Sequence, residues 1–145
     1  MGMKRIYLAS SWRNLQQPAL VGWLRDIGHQ VYDFRNPGPG DNGFSWSSID
    51  PGWLTWTADE YIRALRHPIA SRGFGSDMTG LDWADTCVLL LPCGRSAHLE
   101  AGYAIGQGKP TFIVLGEGGF EPELMYLMAA KVVEDRHQLV RELAK

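Results

Sequence analysis

Apolar residues in this chain fall into five short runs, and most segments between the runs repeat their apolar residues at helical spacing. The runs cover residues 5–9, 29–34, 85–91, 111–115 and 131–134. The third run is apolar without alternation, as expected for a strand that is covered on both faces. We therefore predict five strands, with a crossover segment between each strand and the next.

Helical spacing is clearest at residues 17–27, where Leu20, Leu24 and Ile27 recur on one side. A second helix is predicted at 57–65, because it begins with a capping box and ends before Pro68. Four more are predicted at 76–83, after the loop at 93–98, at 122–129 and at 137–144. Strands that alternate with helices indicate an α/β fold. We predict one domain over residues 1–145, a doubly wound five-stranded parallel sheet of the flavodoxin-like or Rossmann-like type.

Residues 35–56 have no periodicity and combine a stretch rich in Gly and Pro with several aromatic residues, among them Trp46 and Trp56. Long irregular segments in small domains are usually functional or disordered, and the aromatic content argues against disorder. The rings could stack on a flat heterocycle. They could equally form a small core that closes the loop or buries a subunit interface.

Composition narrows the possible partners. The chain has 145 residues, of which 21% are charged, and a formal net charge of −2. Proteins that bind nucleic acid through its phosphates have a basic excess, so no nucleic-acid partner is expected. The apolar runs are too short to cross a bilayer and no signal peptide is visible, so we expect a cytoplasmic protein without a membrane partner.

Metal and cofactor chemistry is not indicated. Cys87 and Cys93 do not form a disulfide scaffold, and the histidines lack metal-ligand spacing. The glycine motifs of dinucleotide-binding and P-loop proteins are also missing. We therefore expect neither a metal nor a cofactor.

Glu100 is the strongest candidate for chemistry. It lies about one turn into the helix that follows the 85–91 strand, next to the small residues Ala97, Ala101 and Gly102. Ligands of parallel α/β sheets bind where strands end and helices begin. The carboxylate could simply complement the helix dipole. Alternatively, it could attack a sugar carbon and form a covalent glycosyl intermediate.

The residues around Glu100 offer weaker candidates. Gly94, Arg95 and Ser96 could bind an anion at the helix N-terminus, although Ser96 taken alone is better explained as an N-cap. Asp77 could supply a second carboxylate for acid–base catalysis. Asp85 fits a strand-edge or capping role instead.

Four segments resemble the nucleoside 2-deoxyribosyltransferase family, which includes related nucleotide N-glycoside hydrolases. They are Arg-Ile-Tyr-Leu-Ala-Ser at 5–10, Ser-Asp-Met-Thr-Gly-Leu at 76–81, Leu-Glu-Ala-Gly-Tyr-Ala-Ile-Gly-Gln-Gly-Lys at 99–109 and Glu-Leu-Met at 123–125. The third segment is the most specific. The resemblance extends over most of the chain and implies a flavodoxin-like fold that cleaves an N-glycosidic bond.

The resemblance also implies roles for individual residues. Its catalytic set is Glu100 as the nucleophile, Asp77 as the carboxylate that handles the base and its proton, and Tyr7 beside the glutamate. Glu123 and Met125 match a segment that enters the active site of a neighbouring subunit. The implied assembly is a homodimer or higher homo-oligomer with a shared active site.

The implied substrate is a small-molecule nucleoside or nucleotide. The candidate substrate-binding residues are Ser10 and Trp12 after the first strand, Gly94, Arg95 and Ser96 before the helix, Trp46 as a wall or lid on the base side, and Glu123 and Met125. The loop at 93–98 lacks the acidic residue with which the transferases bind the sugar 5′-hydroxyl. Glu123 replaces their amide, and a carboxylate at this position would repel a 5′-phosphate if it were buried and unpaired. Arg95 could pair with Glu123 across subunits or bind the phosphate.

The sequence leaves the base, the sugar, the 5′ substituent and the choice between transfer and hydrolysis open. One alternative is a non-catalytic nucleotide-binding or sensor module on the same fold. Another is a phosphoribohydrolase of the cytokinin-activating type, but those enzymes carry Pro-Gly-Gly-x-Gly-Thr where this chain has Pro-Cys-Gly-Arg-Ser at 92–96.

Overall fold

A computed structural model describes residues 2–145. Its sheet has five parallel strands in the order β2-β1-β3-β4-β5. The strands are β1 (Arg5–Ala9), β2 (Gln30–Asp33), β3 (Thr86–Leu90), β4 (Thr111–Val114) and β5 (Lys131–Val133). This order is that of the flavodoxin-like doubly wound folds, so the predicted fold class is confirmed.

The described residues form five α-helices and three short 3₁₀ helices. The α-helices are α1 (Gln17–Asp26), α2 (Ala58–Ala64), α3 (Pro68–Trp83), α4 (Arg95–Gly106) and α5 (Arg136–Leu143); the 3₁₀ helices are Trp46–Ser48, Trp53–Thr55 and Leu124–Met128. None of these helices combines the length and the apolar content needed to cross a membrane.

Different helices pack on the two faces of the sheet. Ile6, Leu8, Val88 and Leu90 belong to a buried cluster together with apolar residues of α1 and α5. Because side chains alternate along a strand, the intervening residues, including Tyr7, point to the other face. Helix α4 packs against β3, β1 and β4 through its buried alanines at 97, 101 and 104. These small side chains allow α4 to approach the sheet closely.

The chain divides into two compact units, one formed by the residues up to Asp33 with Leu81–Lys145 and the other by Phe34–Gly80. The first contains the whole sheet. In the second, the Trp46 ring makes edge-to-face contacts with Phe44, Trp56 and Tyr61. Phe44 and Trp56 of the 35–56 segment therefore pack against Trp46. That residues 1–145 form one domain stays a prediction.

The helix predicted at 76–83 is twice as long as expected. Helix α3 has 16 residues and begins at Pro68, a residue that the sequence pattern marks only as the end of the preceding helix. Gly73 and Gly75 lower the helix propensity of its first half. At Gly73 the missing side chain lets Phe44 pack closely against the helix, since an added Cβ would lie 3.0 Å from the Phe44 ring. This packing offsets the low helix propensity of the glycine. A tertiary contact thus favours a helix that local propensity does not.

Two further predictions were wrong. Residues 122–129 form only a five-residue 3₁₀ helix, Leu124–Met128. The Glu123 side chain caps its start by accepting from the Met125 N–H. Directly before β5, the Ala130 N–H donates to the carbonyl oxygen of Thr111 in β4, so the chain has already joined the sheet. Ser96 is not an N-cap. Gly94 occupies that position with extended backbone, and α4 begins at Arg95.

Candidate active site

The described site centres on a contact between the first strand and the fourth helix. The Tyr7 hydroxyl donates a hydrogen bond to Oε2 of Glu100. Tyr7 is fully buried in β1, whereas Glu100 lies half-buried on α4. Because α4 covers both β1 and β3, the sheet order brings together two residues that are 93 positions apart. A hydrogen bond donated to a carboxylate stabilises its ionised form and restricts its orientation.

The start of α4 is fixed by the loop that follows β1. The Ser10 hydroxyl donates to the carbonyl oxygen of Leu90 at 2.9 Å. The Asn14 side-chain amide donates to the carbonyl oxygen of Pro92 at 3.2 Å. Leu90 is the last residue of β3, and Pro92 lies in the chain between β3 and α4. Ser10 therefore supports the chain that leads to Glu100.

Two thiols, Cys87 and Cys93, lie near Glu100. Burial, followed by repulsion from Glu100, raises the pKa of Cys87 to about 12. The same two causes in the same order raise the pKa of Cys93 to about 12. Both thiols therefore stay protonated at neutral pH, so neither can serve as a thiolate nucleophile.

Tyr32 supports the site, and the sequence analysis missed it. It is paired with Tyr7 in the register of β1 and β2, and the two rings stack with centroids 5.0 Å apart and planes 8° from parallel. The stack limits the movement of the Tyr7 ring. The signal in the sequence was an aromatic residue at the middle of each of the first two strands.

The other sequence-predicted residues of the sheet unit lie on its surface. Trp12 is exposed in the loop after β1, and Arg95 and Ser96 are exposed in the first turn of α4. Glu123 accepts a hydrogen bond from the backbone N–H of Met125 at 3.1 Å, and both residues are exposed.

Two predicted residues belong to the second unit. Asp77 is half-buried on α3. Trp46 is half-buried within the aromatic cluster described above. Their roles in the site stay predictions.

A histidine contact near Glu100 also escaped the sequence analysis. His98 Nδ1 lies 2.7 Å from the carbonyl oxygen of Gly94, and His98 Nε2 lies 2.8 Å from the Tyr126 hydroxyl. The two rings are stacked, with centroids 5.8 Å apart. No sequence spacing connects these residues, because Tyr126 lies in the irregular segment before β5.

Elsewhere in the described structure, a cavity of about 370 Å³ lies between α1 and α5. Its lining includes Leu90 and Val114, which belong to the sheet face opposite Tyr7. Its two carboxylates already have partners: Glu117 accepts from Gln16, and Asp135 caps α5. No cluster of three potential metal ligands occurs within residues 2–145.

Comparison of the sequence with protein-family models gives no match, and comparison with curated proteins gives none either. Solved structures do match. One is a 2-deoxyribosyltransferase from the psychrotolerant bacterium Bacillus psychrosaccharolyticus, with a TM-score of 0.57 and 20% sequence identity. The match covers 92% of this chain and 88% of that chain. The fold of this protein is therefore that of a 2-deoxyribosyltransferase, in agreement with the resemblance of the four sequence segments.

Proposed function

We propose that the protein cleaves or transfers the N-glycosidic bond of a nucleoside or nucleotide, with Glu100 as the nucleophile. The observation that carries this proposal is the hydrogen bond from the buried Tyr7 hydroxyl to the Glu100 carboxylate. An oriented carboxylate beside the end of a parallel strand has the geometry for attack on a sugar. The fold shared with a 2-deoxyribosyltransferase supports the same substrate class.

The reaction has two steps. In the first, a Glu100 oxygen bonds to the anomeric carbon while the bond to the base nitrogen breaks, and its electron pair leaves with the base. Asp77 is the proposed source of the proton that neutralises the departing base. In the second step, water or another base attacks the same carbon, the bond to the Glu100 oxygen breaks and Glu100 leaves as a carboxylate, while Asp77 takes up the proton of the incoming group. Water gives hydrolysis, whereas a base gives transfer.

The substrate-binding residues proposed from the sequence keep that status. Ser10 and Trp12 lie in the loop that follows β1, Gly94 is the N-cap of α4, and Arg95 and Ser96 lie in its first turn. Trp46 remains the candidate for the base side. Of these residues, Arg95 carries the positive charge that a 5′-phosphate would need.

We propose a homo-oligomer with a shared active site. The support is an exposed apolar segment at residues 124–128, in which Leu124 is 75% and Leu127 is 82% exposed. Apolar side chains grouped in this way are typical of interaction surfaces. Glu123 and Met125 lie in or beside this segment, as required if they complete the site of a neighbouring subunit. Light scattering would give the mass; a monomer at micromolar concentration would contradict this assembly.

The catalytic proposal is tested with a panel of ribo- and deoxyribonucleosides and their 5′-monophosphates, each with and without a free acceptor base. Chromatography measures base release or base exchange. Glu100→Gln keeps the size of the side chain and the ability to accept from Tyr7, but loses the nucleophile. We expect turnover by the wild-type protein and none by Glu100→Gln. Full activity of the variant would contradict the mechanism, and tight binding without turnover would favour the non-catalytic binding module.

A further inference from the structure

The hydroxyl of Tyr126 connects residues 118–129 to α4, because it lies 2.8 Å from Nε2 of His98. Three further hydrogen bonds of this segment are local: Met125 bonds to the Glu123 side chain, Tyr126 N–H to Glu123, and Ala129 to Tyr126. The segment carries the exposed apolar residues described above. The contact between Tyr126 and His98 therefore joins this apolar segment directly to the helix that carries Glu100.

The direction of each hydrogen bond follows from the chemistry of the groups. The carbonyl oxygen of Gly94 can only accept, so Nδ1 of His98 carries the hydrogen. In the neutral imidazole Nε2 then accepts, and the Tyr126 hydroxyl donates to it. Burial is the largest cause that raises the pKa of Tyr126, and the carboxylates of Glu123 and Glu121 act in the same direction, which favours the protonated donor.

His98 and Glu100 lie on the same helix, two positions apart. The imidazole therefore links three things: the N-cap of the helix that carries Glu100, the helix itself and the segment that contains Glu123 and Met125. A change at His98 would move that segment without removing the Glu100 carboxylate.

We propose that His98 is a positioning residue, which fixes residues 118–129 against the first turn of α4 and thereby sets substrate binding. This inference rests on the proposed function. His98 does not take part in the chemical step, and its loss affects KM more than kcat.

Two substitutions at His98 test the roles of Nδ1 and Nε2 separately. His98→Gln places an amide oxygen near the position of Nε2, so it can still accept from Tyr126. His98→Asn can still donate to Gly94, but it is too short to reach Tyr126. Tyr126→Phe keeps the stacked ring and removes the donor. We expect His98→Asn and Tyr126→Phe to raise KM about fivefold, the loss of one hydrogen bond, with kcat changed less than about twofold.

In the same experiment, the KM of His98→Gln should stay close to that of the wild type. The double variant His98→Asn/Tyr126→Phe should have a KM no higher than that of either single variant, because both substitutions remove the same hydrogen bond. Hydrogen–deuterium exchange of residues 118–129 gives a readout that does not need activity. Exchange there should become faster in His98→Asn and Tyr126→Phe but not in His98→Gln, while peptides of α5 stay unchanged.

Unchanged exchange at 118–129 in His98→Asn would overturn the positioning role. An unchanged KM in His98→Asn would also overturn it, provided that Glu100→Gln abolishes turnover and thereby confirms the catalytic proposal. A kcat loss equal to that of Glu100→Gln would also overturn it, because His98 would then act in the chemical step. Absence of wild-type turnover would contradict the proposed function instead, and the exchange comparison would still decide whether His98 positions the segment.

Discussion

The rings of Tyr7 and Tyr32 lie parallel across two neighbouring strands, with their centroids 5.0 Å apart. The Tyr7 hydroxyl also donates a hydrogen bond to the Glu100 carboxylate. A phenol attached to a flexible side chain would donate to a carboxylate only part of the time. The stack on Tyr32 restricts the ring to the orientation in which its hydroxyl meets Glu100.

Removal of the Tyr32 ring should therefore disturb the site without touching Glu100. Tyr32→Ala loses the stacking contact, which contributes about 1 kcal/mol in aromatic pairs, together with some buried area. We expect a lower midpoint in urea unfolding and slower base release. Tyr32→Phe is the matched control, because it retains the ring; both quantities should stay nearer to wild type. Equal turnover in the two variants would show that the stack does not orient Tyr7.

Tyr7→Phe tests the hydrogen bond itself. The substitution keeps the ring and the stack but leaves the carboxylate without this donor. A hydrogen bond to a charged group contributes about 1.5–3 kcal/mol, so kcat should fall about 10- to 100-fold. Steady-state kinetics and urea unfolding measured on the same preparation separate a catalytic loss from a folding defect. An unchanged kcat would remove Tyr7 from the catalytic set.

The two members of the Tyr7–Glu100 pair were predicted on different grounds. The position of Glu100 follows from the sequence, because a carboxylate one turn into the helix after a buried parallel strand lies near the edge where ligands of such sheets bind. Tyr7 was expected beside it only because the first strand resembles that of the nucleoside 2-deoxyribosyltransferase family. The capping box at Thr57 was predictable from the local sequence, since it involves only residues three positions apart, and both of its hydrogen bonds are present.

The His98–Tyr126 contact could not be predicted in this way. It depends on the path of an irregular segment, and that path is set by a local cap at Glu123 and by a backbone bond from Ala130 to β4. The start of α3 was misjudged because its glycines favour a break. The packing of Gly73 on Phe44, which the local sequence does not reveal, favours the helix.

Glu60 should make the stability of the protein depend on pH. Hydrogen bonds from the Thr57 backbone N–H and, second, from the Thr57 hydroxyl lower the pKa of Glu60 from its ordinary value of 4.5. A folded-state pKa below the unfolded one adds stability above pH 4.5, and this contribution is lost as the pH falls through the folded value. Wild-type protein should therefore resist urea better than Glu60→Gln at pH 7, and the difference should shrink toward pH 3.

Comparison with Glu60→Gln isolates this effect, because every other carboxylate is present in both proteins and cancels in the difference. A difference in unfolding free energy that is equal at both pH values would mean that the ionised form of Glu60 gains nothing from the cap.

Gly116 and Gly108 form a matched pair for separating backbone strain from steric contact. Both adopt positive φ, +72° at Gly116 and +77° at Gly108. An added Cβ at Gly108 meets nothing within 4 Å, so Gly108→Ala should cost only the conformational penalty of about 1 kcal/mol. At Gly116 the same atom would lie 2.8 Å from the carbonyl oxygen of Leu91, in the chain between β3 and α4.

Gly116→Ala should therefore destabilise the protein by about 2–4 kcal/mol, since the loop after β4 must move away from Leu91 in addition to bearing the strain. Urea unfolding of the two variants measures the difference directly. Because Leu91 precedes the loop that leads to Glu100, base release should also slow in Gly116→Ala and remain normal in Gly108→Ala. Equal losses of stability would mean that this loop adjusts freely, and that the close contact with Leu91 contributes nothing to the placement of α4.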